Sequence, residues 1–109
     1  MDSQIEFSPK AIYQIANVMA TQNSADPNYM KGPELVSLFN TLGYLDAYTF
    51  SDGRGIQTID YGEGLSRLTY VTKHLQDLNK VCQVPNAIQE FCNRVQQPSE
   101  FVDSMKKLL

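Results

Sequence analysis

A chain of 109 residues with a hydrophobic fraction of 42% and a charged fraction of 19% has room for one ordinary globular domain and one core. Its formal net charge is −3 and its Lys and Arg residues are scattered, which argues against a surface built to neutralise nucleic-acid phosphates. The opening residues Met1 to Phe7 lack the basic and apolar regions expected of a leader, no apolar run approaches the roughly 20 residues of a bilayer span, and two cysteines are too few for a disulfide scaffold. The expectation is a cytoplasmic domain with no membrane contact, whose Cys82 and Cys92 are reduced thiols. With the single His74 they are too few to hold zinc, and no cofactor is implied.

The first helix is predicted from Ser8-Pro9, a capping hydroxyl followed by a proline suited to the first helical position. Ile12, Ile15, Ala16 and Met19 then fall on one face. The polar stretch from Thr21 to Lys31, with Asp26-Pro27-Asn28, reads as a loop. A second helix runs from Gly32-Pro33 to Leu42, with Leu35, Leu38, Phe39 and Leu42 as its stripe and Gly43 as a left-handed cap.

From Tyr44 to Gly64 no helical period is sustained. The segment holds Gly53, Gly55, Gly62 and Gly64, together with Tyr44, Tyr48, Phe50 and Tyr61. Ser51-Asp52-Gly53 is a turn signal, and Ile56 to Ile59 reads either as a short strand or as an extended segment. A loop of this length either serves recognition or packs its aromatics back on the helices. A third helix is predicted from Gly64 or Leu65 to Asn79, burying Leu65, Leu68, Val71, Thr72, Leu75 and Leu78. A fourth starts at Pro85 or Asn86 with the stripe Ile88, Phe91, Cys92 and Val95, which places Cys92 in the core. Pro98 stops it, and Ser99 caps a fifth that buries Phe101, Val102 and Met105. The apolar pattern still runs at Leu109, so the chain is expected to be the N-terminal piece of a longer protein.

No catalytic constellation emerges. His74 has no triad partner at a telling spacing and reads as a surface or internally satisfied histidine. Asp60 and Glu63 are loop carboxylates, and neither Gly53-Arg54-Gly55 nor Gly62-Glu63-Gly64 has the surroundings of a phosphate cradle. Arg67, just after the glycine-rich segment, has two readings. It clamps that loop through carbonyls or a carboxylate such as Asp52 or Asp60, or it joins Tyr48, Asp52, Arg54 and Tyr61 in a recognition patch.

Leu38-Phe39-Asn40-Thr41-Leu42-Gly43-Tyr44, then Asp46-Ala47-Tyr48, resembles a motif of small helical N-terminal domains in AbiJ-type abortive-infection proteins. Ser66-Arg67-Leu68-Thr69-Tyr70, Leu75-Gln76-Asp77-Leu78-Asn79 and Pro98-Ser99-Glu100-Phe101 follow in the order the family shows, so the resemblance runs from about Lys31 to Phe101. It implies a non-catalytic sensing or adaptor module ahead of an effector domain in a bacterial antiphage system, with that effector or another protein as partner. The expectation is therefore an all-α domain spanning residues 1–109: a compact bundle of about five short helices with one long Gly- and aromatic-rich loop over 44–64. A helix-turn-helix nucleic-acid-binding domain is the alternative, permitted by the short helices and opposed by the acidic balance. A small enzyme using the glycine-rich loop is a third reading.

Overall fold

A computed structural model describes residues 6–49 and 54–108. In chain order the elements are α1 (Pro9–Met19), α2 (Gly32–Thr41), β1 (Ala47–Thr49), β2 (Gly55–Gln57), β3 (Glu63–Leu65), α3 (Arg67–Lys80), α4 (Val84–Arg94) and α5 (Pro98–Leu108). The turn expected at 51–53, and with it Asp52, lies outside the described residues, as do Phe50 and Leu109.

The expectation of an all-α domain is corrected. The chain is mostly helical, but the segment read as one long loop folds in part into an antiparallel meander of order β1-β2-β3. Ala47 pairs with Gln57 and Thr49 with Gly55, and the Gln57 amide donates to Thr49 Oγ1 across the pair. Between β2 and β3 the register shifts: Ile56 faces Leu65 while Gln57 faces Glu63. Gly64 is the extra residue of this bulge, and its φ of +74° is the left-handed conformation that a bulge of this kind demands. Strands of three residues are too short to display a period of two, so the sequence showed only a break in helical periodicity.

The helix starts follow their local chemistry. Ser8 Oγ accepts from Ala11 N–H at 3.1 Å and Ser66 Oγ accepts from Thr69 N–H at 3.1 Å. At α2 the cap position is Lys31, whose N–H instead donates to the Glu34 carboxylate at 2.8 Å. Two ends share one geometry. After α2, Gly43 N–H donates to the Asn40 carbonyl and Tyr44 N–H to that of Phe39; after α3, Cys82 N–H donates to Asn79 and Gln83 N–H to Leu78. Both are Schellman ends, in which the residue after the cap is left-handed. Gly43 (φ +110°) meets that demand without strain, whereas Cys82 (φ +58°) carries a Cβ into it. Cys82→Gly is expected to raise the unfolding free energy by about 0.5–1 kcal/mol, read as a higher urea midpoint at an unchanged slope; a lower midpoint would contradict it.

The core joins Ile12, Ile15 and Met19 of α1, Leu35, Leu38 and Phe39 of α2, Ile56 of β2, Tyr70, Val71 and Leu75 of α3, Phe91 of α4 and Phe101 of α5. α1 packs on α3 and α5, while α2 packs on α3, α4 and the meander. The buried face of α3 differs from the expected stripe: it runs through Tyr70, Val71, His74, Leu75 and Leu78, with Leu68 and Thr72 only half-buried. Cys92 is half-buried against the core rather than within it, and both cysteines are free. α4 ends at Arg94, before Val95, and Pro98 opens α5 instead of stopping α4. The cause lies in the loop before α2. Asn28 accepts from Gln97 N–H at 2.8 Å and donates to its carbonyl at 2.7 Å, which commits that backbone to the loop. Pro98 then occupies a first helical position, where a missing N–H costs nothing.

Asn28 is one of three asparagines used in this way. Asn40 exchanges the same two hydrogen bonds with the backbone of Asp46, and Asn79 with that of Phe7. Each side-chain amide acts as a one-residue strand toward a connecting backbone, although the Gln97 carbonyl also accepts from Glu100 and Phe101 N–H at the start of α5. No helix among the described residues is long and apolar enough to cross a membrane.

Candidate functional site

The Schellman end of α2 places Tyr44 over Phe39, with ring centroids 6.2 Å apart, which is the apolar contact such an end favours. The chain then turns into β1, and the Asn40 bracket fixes the backbone of Asp46. The Asp46 side chain, 3% exposed, turns inward onto α3. Its Oδ2 accepts from the Tyr70 hydroxyl at 2.6 Å and pairs with His74 Nε2 at 2.7 Å. Tyr70 and His74 lie four residues apart, on successive turns of one helix face, so a single carboxylate reaches both.

The imidazole is boxed by aromatics. Tyr44 stacks on it with centroids 3.7 Å apart, and Phe39, Tyr61 and Tyr70 stand at 5.0, 5.5 and 4.6 Å. His74 is 2% exposed. With Asp46 on Nε2, that nitrogen carries the proton and Nδ1 presents a bare lone pair. Among the described residues Nδ1 has no hydrogen-bond partner. Burial pushes the Tyr44 phenol up to about 12, helped by Asp77, Asp46 and Asp60. It also drives Tyr70 far above its usual range, reinforced by the bond to Asp46.

Burial lowers the His74 imidazole from 6.5, against the opposing pull of Asp46. The folded chain therefore binds this proton less readily than the unfolded chain does. The stability tied to neutral His74 is complete above about 6.5 and is lost as the pH falls through the lowered folded value. Unfolding midpoints are expected to drop from pH 7 to pH 5, and His74→Gln should flatten that slope. Equal slopes for both proteins would contradict this.

His74 also lines a cavity of about 170 Å³, enclosed by Gly43, Tyr44, Leu45 and Asp46 on one side and Thr58, Ile59 and Asp60 on the other. Thr58 builds the second wall. Its hydroxyl donates to the Gly62 carbonyl at 2.9 Å and accepts from Tyr61 N–H at 2.8 Å, closing the turn between β2 and β3. A wider depression of about 530 Å³ runs along α2 past Ser37, Asn40, Thr41 and Tyr48. Its polar groups are already engaged: Ser37 and Thr41 accept from Arg94, and Asn40 holds Asp46.

The residues expected to form a recognition patch face different neighbours. Arg67 clamps carbonyls, as one of its two readings held, but those of the loop before α2. Its Nε donates to Met30 O and its Nη1 to Thr21 O, both at 2.8 Å, with the guanidinium 4.3 Å above the Tyr29 ring. Tyr61 flanks His74 beneath Lys73, whose Nζ lies 5.4 Å from the ring centre. Tyr48 lies against Gly32, where a Cβ would fall 2.4 Å from its ring. Arg54 is exposed, with its carbonyl beside Gly64.

In the sequence Asp46 and Tyr70 stood out only as motif residues of the resemblance, with no site role, and the expected stripe put neither Tyr70 nor His74 on a buried face. The available signal was their spacing: Tyr70 and His74 each precede a core position, Val71 and Leu75, so all four share one side of α3. Among the described residues no group of three or more His, Cys, Asp or Glu side chains gathers to hold a metal. Comparison of the chain with protein-family models, curated proteins and solved structures gave no match.

Proposed function

We propose that this chain is a non-catalytic recognition or regulatory module of the kind that precedes an effector domain in AbiJ-type abortive-infection proteins. The observation that carries the reading is the work done by the motif residues. Asn40 brackets Asp46, Gly43 ends α2, Tyr44 covers His74, and Asp46 joins β1 to Tyr70. Ser66 caps α3, Arg67 clamps the loop before α2, and Asn79 holds Phe7. These are framework roles, and a framework shared by a family leaves recognition to the surface it supports. The carboxylate–histidine pair fits the same reading. Aromatic rings enclose the imidazole, and the one hydroxyl-bearing aliphatic side chain lining the cavity, Thr58, is committed to the backbone of its own turn. A histidine-activated serine or threonine nucleophile needs a free hydroxyl within reach of the base.

In the cell the module would act in cytoplasm, through an effector domain that follows it or another protein. The test is a phage challenge of bacteria expressing the open reading frame that encodes this chain. Removal of residues 1–109 with the following sequence retained is expected to abolish protection. Protection equal to that of the intact frame would overturn the reading.

A further inference from the structure

The cavity beside His74 has a chemistry of its own. At about 170 Å³ it is well below the roughly 300–1,000 Å³ of sites for drug-sized ligands, and it suits one long side chain. Its charged groups are all acidic. His74 lines it with a buried Nδ1 that lacks a partner, Asp46 stands beside His74, and Asp60 lies exposed at the opening. No cationic side chain is part of the lining; the neighbouring Lys73 sits over the Tyr61 ring. Two carboxylates in the lining with no cation beside them favour a ligand that donates hydrogen bonds and is positively charged.

The rim has a different character. Leu45 is 79% exposed and Ile59 74% exposed, one on each side of the opening. A polar, side-chain-sized hole flanked by two exposed aliphatic residues has the anatomy of a binding hot spot, where a central anchor is ringed by groups that exclude water.

We propose that this cavity is a socket for a single arginine side chain presented by a partner protein, with Asp60 and Asp46 accepting from the guanidinium and Leu45 and Ile59 packing against the surface around it. Arginine fits better than lysine because the acceptors lie on opposite walls, and a guanidinium spreads its five N–H groups in a plane while an ammonium concentrates three at a point. The proposal builds on the reading of the chain as a recognition module and gives the chemistry of its partner. Its test uses the purified chain alone, so its failure is distinguishable from failure of the phage experiment.

The ¹⁵N-labelled 109-residue chain is titrated with N-acetyl-arginine methylamide, and in parallel with the lysine, citrulline and norleucine analogues. Saturable shifts are expected at the amides of 43–46, 58–60 and His74, with a Kd on the order of 1 mM for a ligand this small. The lysine analogue is expected to bind more weakly, and neutral citrulline and apolar norleucine more weakly still. Asp60→Asn, a change at an exposed position, is expected to weaken the arginine analogue by about twofold to fivefold. Absence of saturable shifts at those amides would overturn the proposal. So would equal affinity for any of the three other analogues, or an unchanged affinity in Asp60→Asn.

Discussion

Asp46→Ala is expected to cost about 2–5 kcal/mol of unfolding free energy, the largest effect of any single substitution at the site. The alanine removes the acceptor for the Tyr70 hydroxyl and for His74 Nε2 together, and both groups stay buried. Two unsatisfied buried donors lose their hydrogen bonds and recover no water in exchange. A domain of this size has a total stability of about 5–15 kcal/mol, so the variant sits near its limit. Tyr70→Phe separates the contributions. It deletes one bond and leaves the carboxylate paired with His74, so its cost should be about 1–2 kcal/mol. The check is urea unfolding followed by circular dichroism. Equal costs for the two variants would mean that His74 draws nothing from Asp46.

Arg67→Ala is expected to cost about 2–4 kcal/mol, and Arg67→Lys to recover less than half of the loss. The guanidinium is what ties the connection between α1 and α2 to the start of α3. Nε and Nη1 hold the carbonyls of Met30 and Thr21, and the plane stacks over Tyr29. A lysine offers a point charge and cannot span two carbonyls while lying flat on a ring. Hydrogen exchange gives the more specific readout: amides of residues 20–31 should lose protection in Arg67→Ala, while those of α4 keep theirs. Uniform loss across the domain would contradict a local clamp.

What the sequence displayed, and what it hid, divides by range. Ser8-Pro9, Gly32-Pro33 and Gly43 marked helix ends correctly because caps and left-handed turns are chemistry between residues a few positions apart. The apolar stripes of α1 and α2 were legible for the same reason. The meander was not, since its strands are three residues long and their pairing depends on partners across turns. Pro98 was read as a stop and is a start, because the bracket from Asn28 that decides the matter lies 69 residues away. The site shows the same division. Asp46 meets Tyr70 and His74 across 24 and 28 residues, and no local pattern announces such a meeting. For Arg67 one of the two readings named the kind of interaction but not its target, which is Met30 and Thr21 in place of the segment beside it. The described aromatics of that segment do pack back, Tyr44 and Tyr61 on His74 and Tyr48 against Gly32.

The central claim is that this chain acts by recognition at its surface and that its buried polar cluster supports that surface without catalysing a reaction. The measurement that tests it most directly pairs two readouts on one variant, Leu45→Ser with Ile59→Ser, in which both changed side chains are exposed. The isolated chain should melt within a few degrees of the unaltered one, since exposed substitutions away from caps and networks move stability by only about 0.5 kcal/mol each. The same two changes in the encoding open reading frame should abolish protection in the phage challenge. Full protection by the doubly substituted protein would contradict the account.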